Sequence, residues 1–342
     1  MPDATAIFSS PSSDCTKPKI AGASPTVAIL AVYFGVLPYY FPLWLESCSR
    51  NPDFHWFVLT DADKSSYTLP PNVHWRATTL AEFGNRMSSA LGIEMKPASP
   101  YKVCDFRPAF SILLDREPAR WDFWGHCDFD MIFGDLRKFI TAEILSNADK
   151  IFTLGHLTLY RNSKFVNEMF RRQHPRLDWR AILADPAHRG FDEHIGVGLI
   201  WRAHRDRIFK DESIVADIDP GIGRFERSAP YRNDRHQVFY YDRGRVFRVF
   251  WRGERGSREE FMYIHFQKRK AMHLAAANGT ESYVIGPDGF FACSPDELSR
   301  DLARRLNPFR WSWKETLHRW RCAIRSFRRK RGFVGDFRGP YR

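Results

Sequence analysis

Two aspartates one residue apart, Asp128 and Asp130, close an apolar and aromatic run in WDFWGHCDFDMIFGDLRKFI, residues 121–140. A second apolar run follows at once. Carboxylates set among apolar residues must meet something positive, because burying them unpaired is costly. A hard divalent cation, Mg2+ or Mn2+, is such a partner: it favours oxygen ligands and keeps other positions for water or phosphate oxygens. The same pattern could also be a solvated turn after a strand. A second stretch, MYIHFQKRK at 262–270, supplies the other half of a possible site. His265 could complete a metal's coordination, and Lys268 and Lys270 could neutralise a diphosphate. Without the paired aspartates, a histidine in an apolar strand would read as a packed one. The two features support each other only if they converge in space.

The elements that must bring them together read as follows. VAILAVYF (27–34), closed by Gly35, is a buried strand. Residues 38–49 carry apolar side chains at helical spacing, and FHWFVL (54–59) is a second strand ending at Thr60-Asp61. Residues 79–92 predict a helix, 101–116 a helix after Pro108, and Trp121–Trp124 the start of the strand that ends at the aspartates. DLRKFITAEILSNA (135–148) predicts one helix, KIFTLG (150–155) a strand, and 163–173 another helix. Residues 176–260 are hard to assign, with strand-like pieces HQVFYY and RVFRVFW. MYIHFQ (262–267) is a strand, and from 293 onward the chain is largely helical. Strand and helix in alternation argue for an α/β fold with a mainly parallel sheet flanked by helices. The expected organisation is a disordered leader (1–26), a catalytic domain (27–292) and a basic amphipathic tail (293–342).

Composition narrows the classes. With 342 residues, 44% hydrophobic and 27% charged, the chain can build a large core. Six cysteines without a C-x-x-C pair favour a reduced, cytosolic compartment. No stretch is apolar enough to span a bilayer, and the first 26 residues lack the pattern of a signal peptide. Net charge is +12, but Arg300–Arg342 holds 14 Lys or Arg against 3 acidic residues, so the rest of the chain is nearly neutral. The body therefore does not look like a nucleic-acid surface.

The segments VAILAVYFG, FVLTD, PYKVCDFRP, WDFWGHCDFDMIFGDLRKF, KIFTLGHLTLYRN and FDE together resemble an uncharacterised group of bacterial GT-A-type glycosyltransferases found in polysaccharide gene neighbourhoods. The resemblance covers roughly residues 27–270. More distantly, D-x-D followed late by His and Lys is similar to the glycogenin-like and lipopolysaccharide galactosyltransferase-like families, which use a nucleotide-diphospho-sugar and Mn2+. The resemblance implies a GT-A-like (Rossmann-like) fold, with Asp128, Asp130 and His265 as metal ligands. Val32, Tyr33 and Phe34 would flank the nucleotide, Asp61 would meet the base or ribose, and Lys102 and Asp105 would face the donor. The related families show His-x-x-Gly with a later Lys. Here Lys268 stands at the Gly position and Lys270 comes one residue early, so both are carried as diphosphate contacts.

In glycosyl transfer the departing diphosphate gains negative charge, which a cation and a lysine would stabilise. The acceptor hydroxyl needs a base if the reaction inverts. GFDEHIG (190–196) offers Asp192, Glu193 and His194, and could equally be a helix N-terminus. GHLTLYRN, with His156, Tyr160 and Arg161, lines the acceptor side or packs as a strand and turn.

The function expected is a metal-dependent glycosyltransferase using a nucleotide-diphospho-sugar, a UDP-sugar first among them, and a saccharide or glycolipid acceptor. Two other readings stand beside it. A haloacid dehalogenase-type phosphatase places its D-x-D after the first strand, whereas about 100 residues of α/β pattern precede it here. A non-enzymatic basic protein binding membrane or nucleic acid through its tail would leave the pattern of the body unused. In the tail, Trp313, Leu317, Trp320, Ile324 and Phe327 recur at spacings of 4, 3, 4 and 3, with Arg and Lys largely elsewhere. That is the pattern of a helix in an anionic membrane interface, or of one packed on the domain. The expected location is cytoplasmic, peripheral on the inner face of the plasma membrane.

Overall fold

The computed structural model describes residues 24–94, 99–114, 120–204, 207–267, 269, 272–274 and 280–330. The expected leader falls almost wholly outside them, as do Lys268 and Lys270. The strands are β1 (Val27–Val32), β2 (Phe54–Thr60), β3 (Val73–Ala77), β4 (Phe123–Cys127), β5 (Met131–Phe133), β6 (Lys150–Ile151), β7 (Leu157–Arg161), β8 (Ile208–Phe209) and β9 (Val215–Asp217). They continue with β10 (His236–Asp242), β11 (Arg245–Arg252), β12 (Arg255–Phe261), β13 (Tyr263–His265), β14 (His273–Leu274), β15 (Ser282–Gly286) and β16 (Gly289–Ala292). The helices are α1 (Phe41–Ser49), α2 (Leu80–Leu91), α3 (Leu136–Phe139), α4 (Ala142–Asn147), α5 (Lys164–Asn167), α6 (Trp179–Ala184), α7 (Val197–His204), α8 (Arg300–Leu306) and α9 (Trp313–Lys330).

The fold is mixed α/β, with multi-stranded sheets flanked by helices. The first sheet runs β3-β2-β1-β4-β7-β6-β8. Strands β1 to β4 are mutually parallel, while β7 is antiparallel to both its neighbours. Both faces are covered. Val27, Ile29 and Ala31 enter one core with Trp44 and Trp56, and Ala28 and Leu30 enter a second with Phe106, Trp124 and Trp201. A strand buried on both sides has no polar face, which is why VAILAV reads as an unbroken apolar run.

The expectation of one mainly parallel sheet is only part of the architecture. Residues 236–261 build three strands of a six-stranded, largely antiparallel sheet, β12-β11-β10-β15-β16-β14. Its β10–β11 hairpin turns on Arg243 and Gly244, both at positive φ (46° and 86°), as a tight two-residue turn requires. A third, short sheet, β5-β13-β9, joins the other two.

Several expected helices are shorter. Residues 135–148 form two helices, because Thr141 caps a new one by accepting from the Ile144 amide at 3.2 Å. KIFTLG is strand only at Lys150–Ile151, where Phe152, at φ 65°, turns the chain aside. The 163–173 segment divides into α5 and a 3-10 turn at Met169–Arg171. Pro100–Leu114 winds as a 3-10 helix through Pro108, whose missing N–H disfavours a regular α-helix.

Gly125, three residues before Asp128, permits the closest approach in the first sheet. A Cβ there would lie 2.3 Å from the Thr158 carbonyl oxygen and 2.5 Å from a Leu159 methyl. Because one contact is paired backbone, it cannot swing away. Gly125→Ala is expected to lower folding stability by about 3 kcal/mol, read from urea unfolding against the wild type.

Candidate active site

The order β3-β2-β1-β4 places the switch in strand order between β1 and β4. In open parallel sheets, ligands bind outside the carboxyl ends of the strands at that point. Tyr33 follows β1 there and Asp128 follows β4. A cavity of about 670 Å³ opens between them, lined among others by Val32, Tyr33, Phe34, Asp128, Asp130 and His265.

After Asp128 the chain leaves the first sheet and enters the third. In that sheet β13 runs antiparallel to β5, with His265 opposite Met131, and parallel to β9, with His265 beside Asp217. The amide of Phe266 donates to the Asp130 carbonyl at 3.0 Å. This pairing puts the late histidine against the D-x-D. His265 Nδ1 lies 2.8 Å from Asp217 Oδ1 and its Nε2 lies 3.4 Å from Asp130 Oδ1. Burial works against a charged imidazole, but the two carboxylates outweigh it and hold the His265 pKa up at about 10. Ligand atoms of Asp128, Asp130 and His265 lie within 4.8 Å of one another. Two carboxylates and an imidazole at that spacing could hold a divalent cation. An imidazole whose other nitrogen is fixed by a carboxylate is the usual arrangement around such ions. His156 stacks on His265 with ring centroids 4.0 Å apart. Burial, with His265 beside it, holds His156 at about 3, so this ring is neutral at ordinary pH.

Arg107 is the centre of the opposite wall. Its guanidinium donates to Asp128, to Asp192 at 2.9 Å and to the Gly155 carbonyl at 2.6 Å. Asp192 is almost fully buried, and burial pushes its carboxyl up to about 7 against the pull of Arg107. GFDEHIG leads directly into the N-terminus of α7. It is a tight turn before α7, and a Cβ on Gly196 would lie 2.4 Å from the Phe191 carbonyl oxygen. The turn presents both Asp192 and Glu193 to the cavity.

Two expectations need correction. Lys102 and Asp105 do not face the donor space. They are buried against each other, with Lys102 Nζ 2.8 Å from Asp105 Oδ2 and donating also to the carbonyls of Ile182 (2.7 Å) and Ala187 (3.0 Å). Asp105 accepts the amides of Arg189 and Phe191, each at 2.8 Å. Together they clamp the 182–191 segment and so position the turn that carries Asp192. Asp61 likewise supports rather than lines the cavity, accepting the Gly35 amide at 2.7 Å where the chain turns after β1. Of the residues expected on an acceptor side, His156 reaches the cavity. Tyr160 instead stacks on Trp124 in the core, and Arg161 binds the carbonyls of Leu145, Ser146 and Ala148 at the end of α4.

Arg107 lies within PYKVCDFRP, where nothing local marks an arginine whose partners, Asp128 and Asp192, are far along the chain. Asp217 carried no signal in sequence, being one carboxylate in a stretch rich in them. Arg269 also lines the cavity, between the two lysines singled out in sequence.

Residues 29–294 match a family of unknown function, DUF6625. The chain belongs to that family. Replication-associated protein ORF2 of Spiroplasma virus 4 is 23% identical over 278 residues, covering 75% of this chain and 76% of that protein. Among solved structures, the glycosyltransferase GlyE of Streptococcus pneumoniae TIGR4 is 12% identical with a TM-score of 0.31, over 56% of this chain and 46% of that one. The match thus spans less than half of the GlyE chain. Mouse xyloside xylosyltransferase 1 is 9% identical with a TM-score of 0.34, over 58% of this chain and 89% of that one. Both structural neighbours are glycosyltransferases, and at these TM-scores neither likeness extends to the whole fold.

The clamp yields a sign that separates support from substrate contact. Lys102→Ala removes the ammonium partner of a buried carboxylate and should cost about 3 kcal/mol of stability. Thermal unfolding should show the loss whether or not any ligand is present. A Lys102→Ala protein of unchanged stability would return the residue to the list of ligand contacts.

Proposed function

We propose that the protein is a metal-dependent glycosyltransferase of GT-A type, moving a sugar from a nucleotide-diphospho-sugar to a saccharide or glycolipid acceptor. The observation that carries this reading is the meeting of Asp128, Asp130 and His265 at the switch point of the parallel strands, with Asp217 aligning the imidazole. The charge balance supports it. Asp128, Asp130, Asp192 and Asp217 are ion-paired within 3.4 Å to Arg107 and His265 alone among the described residues, so carboxylates outnumber their cations. A divalent cation held there would relieve that excess and offset the charge that grows on a leaving diphosphate.

The other groups fall into place around it. Tyr33, edge-on to Phe129 at 5.4 Å and more than a third exposed, offers a ring on which a nucleobase can stack. Val32 and Phe34 wall the same side. Lys268 and Lys270 remain the proposed diphosphate contacts, on either side of Arg269. Asp192 and Glu193 are the proposed bases toward the acceptor hydroxyl. A carboxyl near 7 suits the first of them to take a proton at neutral pH.

Incubation with UDP-sugars and Mn2+ should release UDP. EDTA should stop the release and added Mn2+ restore it, while full turnover in EDTA would remove the metal from the reading. Asp130→Asn should lower kcat by about a hundredfold or more, as expected when a ligand of a charge-stabilising ion is lost. Asp217→Asn touches no proposed ligand position, yet it should weaken Mn2+ binding about 10–100-fold, because the imidazole loses its alignment. Calorimetric titration with Mn2+ alone reads this without any sugar donor.

A further inference from the structure

Helix α9 packs by its polar side. The Gly223 amide donates to Glu315 at 2.8 Å, His318 Nε2 lies 2.8 Å from Asp219 Oδ1, and Arg319 pairs with Glu226 at 2.9 Å. Two glycines allow this approach: a Cβ on Gly221 would lie 2.4 Å from the His318 ring, and one on Gly223 would lie 2.9 Å from Glu315 Oε1. The apolar side of the helix is turned outward. Trp313 is 67% exposed, Trp320 69% and Phe327 56%, with Leu317 and Ile324 between them at 36% each. Trp311, at 72%, extends the strip. Surface helices of globular proteins are built the other way, apolar side in. The dense polar contacts on the inner side mean that this helix is not simply awaiting a better seat on its own domain.

A contiguous apolar strip of this kind marks an interaction surface, and charge decides what it meets. Residues 310–331 hold nine Lys or Arg and a single acidic residue. Lys314 and Arg321 are exposed beside the strip. A second copy of the helix would bring like charges together. A nucleic acid would satisfy the arginines and leave Leu317 and Ile324 in water. An anionic lipid interface satisfies both, since Trp and Phe settle at the headgroup level and Lys and Arg meet the phosphates. No described helix is long and apolar enough to cross a membrane, so the contact is with the surface.

We propose that α9 lies on an anionic lipid surface, with Trp313, Leu317, Trp320, Ile324 and Phe327 directed into the headgroup–acyl boundary. The segment 219–226 that seats the helix is bonded to a residue of the cavity wall. Arg269, which lines the cavity, donates to the carbonyls of Asp219 (3.1 Å), Ile222 (2.5 Å) and Gly223 (3.2 Å). Lipid contact and cavity rim are therefore joined through one short loop. The proposal stands independently of the transferase reading, because its test needs neither donor nor acceptor.

The full chain is sedimented with vesicles of phosphatidylglycerol and phosphatidylcholine, and with phosphatidylcholine alone. Binding is expected to the first and to be weak for the second, and to fall as salt is raised. The double variant Trp313→Ser, Trp320→Ser removes exposed rings and should keep its unfolding temperature while losing about tenfold or more in vesicle affinity. Lys314→Glu with Arg321→Glu, which leaves the rings in place, should lower the affinity for the anionic vesicles only. The proposal is overturned if the double tryptophan variant binds as the wild type does, or if neutral vesicles bind equally well. It is also overturned if the chain ignores vesicles and binds a single-stranded RNA oligonucleotide, or forms a dimer that the tryptophan changes dissolve.

Discussion

The cost of burying carboxylates governs this molecule. Three aspartates, Asp128, Asp130 and Asp192, line one cavity and a fourth, Asp217, stands behind His265; partly or wholly withdrawn from water, each must be matched or neutralised. Arg107 bridges two of them, Asp128 and Asp192, and His265 bridges the other two, Asp130 and Asp217. These two bridges fix how the first sheet, the third sheet and the turn at 190–196 must sit. The first sheet delivers Asp128, the third delivers Asp130, His265 and Asp217, and the turn delivers Asp192. Were any of these elements displaced, a carboxylate would lose its partner. The same excess of carboxylates over cations is what the proposed divalent ion would offset.

Behind these contacts lies a layer that never reaches the cavity yet decides its shape. Lys102 and Asp105 hold the 182–191 segment by five hydrogen bonds, one between their own side chains and the rest to backbone. Asp61 holds the turn after β1, and Asp217 turns the His265 ring. Such residues share the chemistry of those that touch a ligand, and differ only in which way they face. A buried, fully satisfied ion pair is costly to break from one side, which suits a positioning role.

The second sheet and the C-terminal helices extend the same logic outward. Helix α8 packs on β10, with Ala303 fully buried, and Asn307 binds the backbone of Phe225 and Gln237. The chain that follows returns to the 219–226 segment as α9. There, polar contacts that could have faced water are used for docking, and apolar groups that could have docked face outward. The loop they seat upon is tied to the cavity through Arg269, so the outer helix and the inner site share one support.

By itself, the sequence determined the apolar strands, because a strand covered on both faces cannot carry polar residues. It determined the position of the D-x-D at a strand end, since two carboxylates cannot sit within such a run. It also determined the apolar strip of α9, which follows from helical spacing. It did not determine the second and third sheets or the helix lengths. Arg-rich strands such as RVFRVFW hide their alternation, and a cap such as Thr141 looks like any threonine until its helix breaks. Tertiary structure alone decided which polar residues form the site. Asp217 meets His265 across 48 residues and Arg107 meets Asp192 across 85. Tertiary structure also turned Lys102 and Asp105 away from the cavity and set α9 with its apolar side outward. Spacing along a chain fixes which side chains share a face. Which face is buried depends on partners far away in sequence, and no local pattern records them.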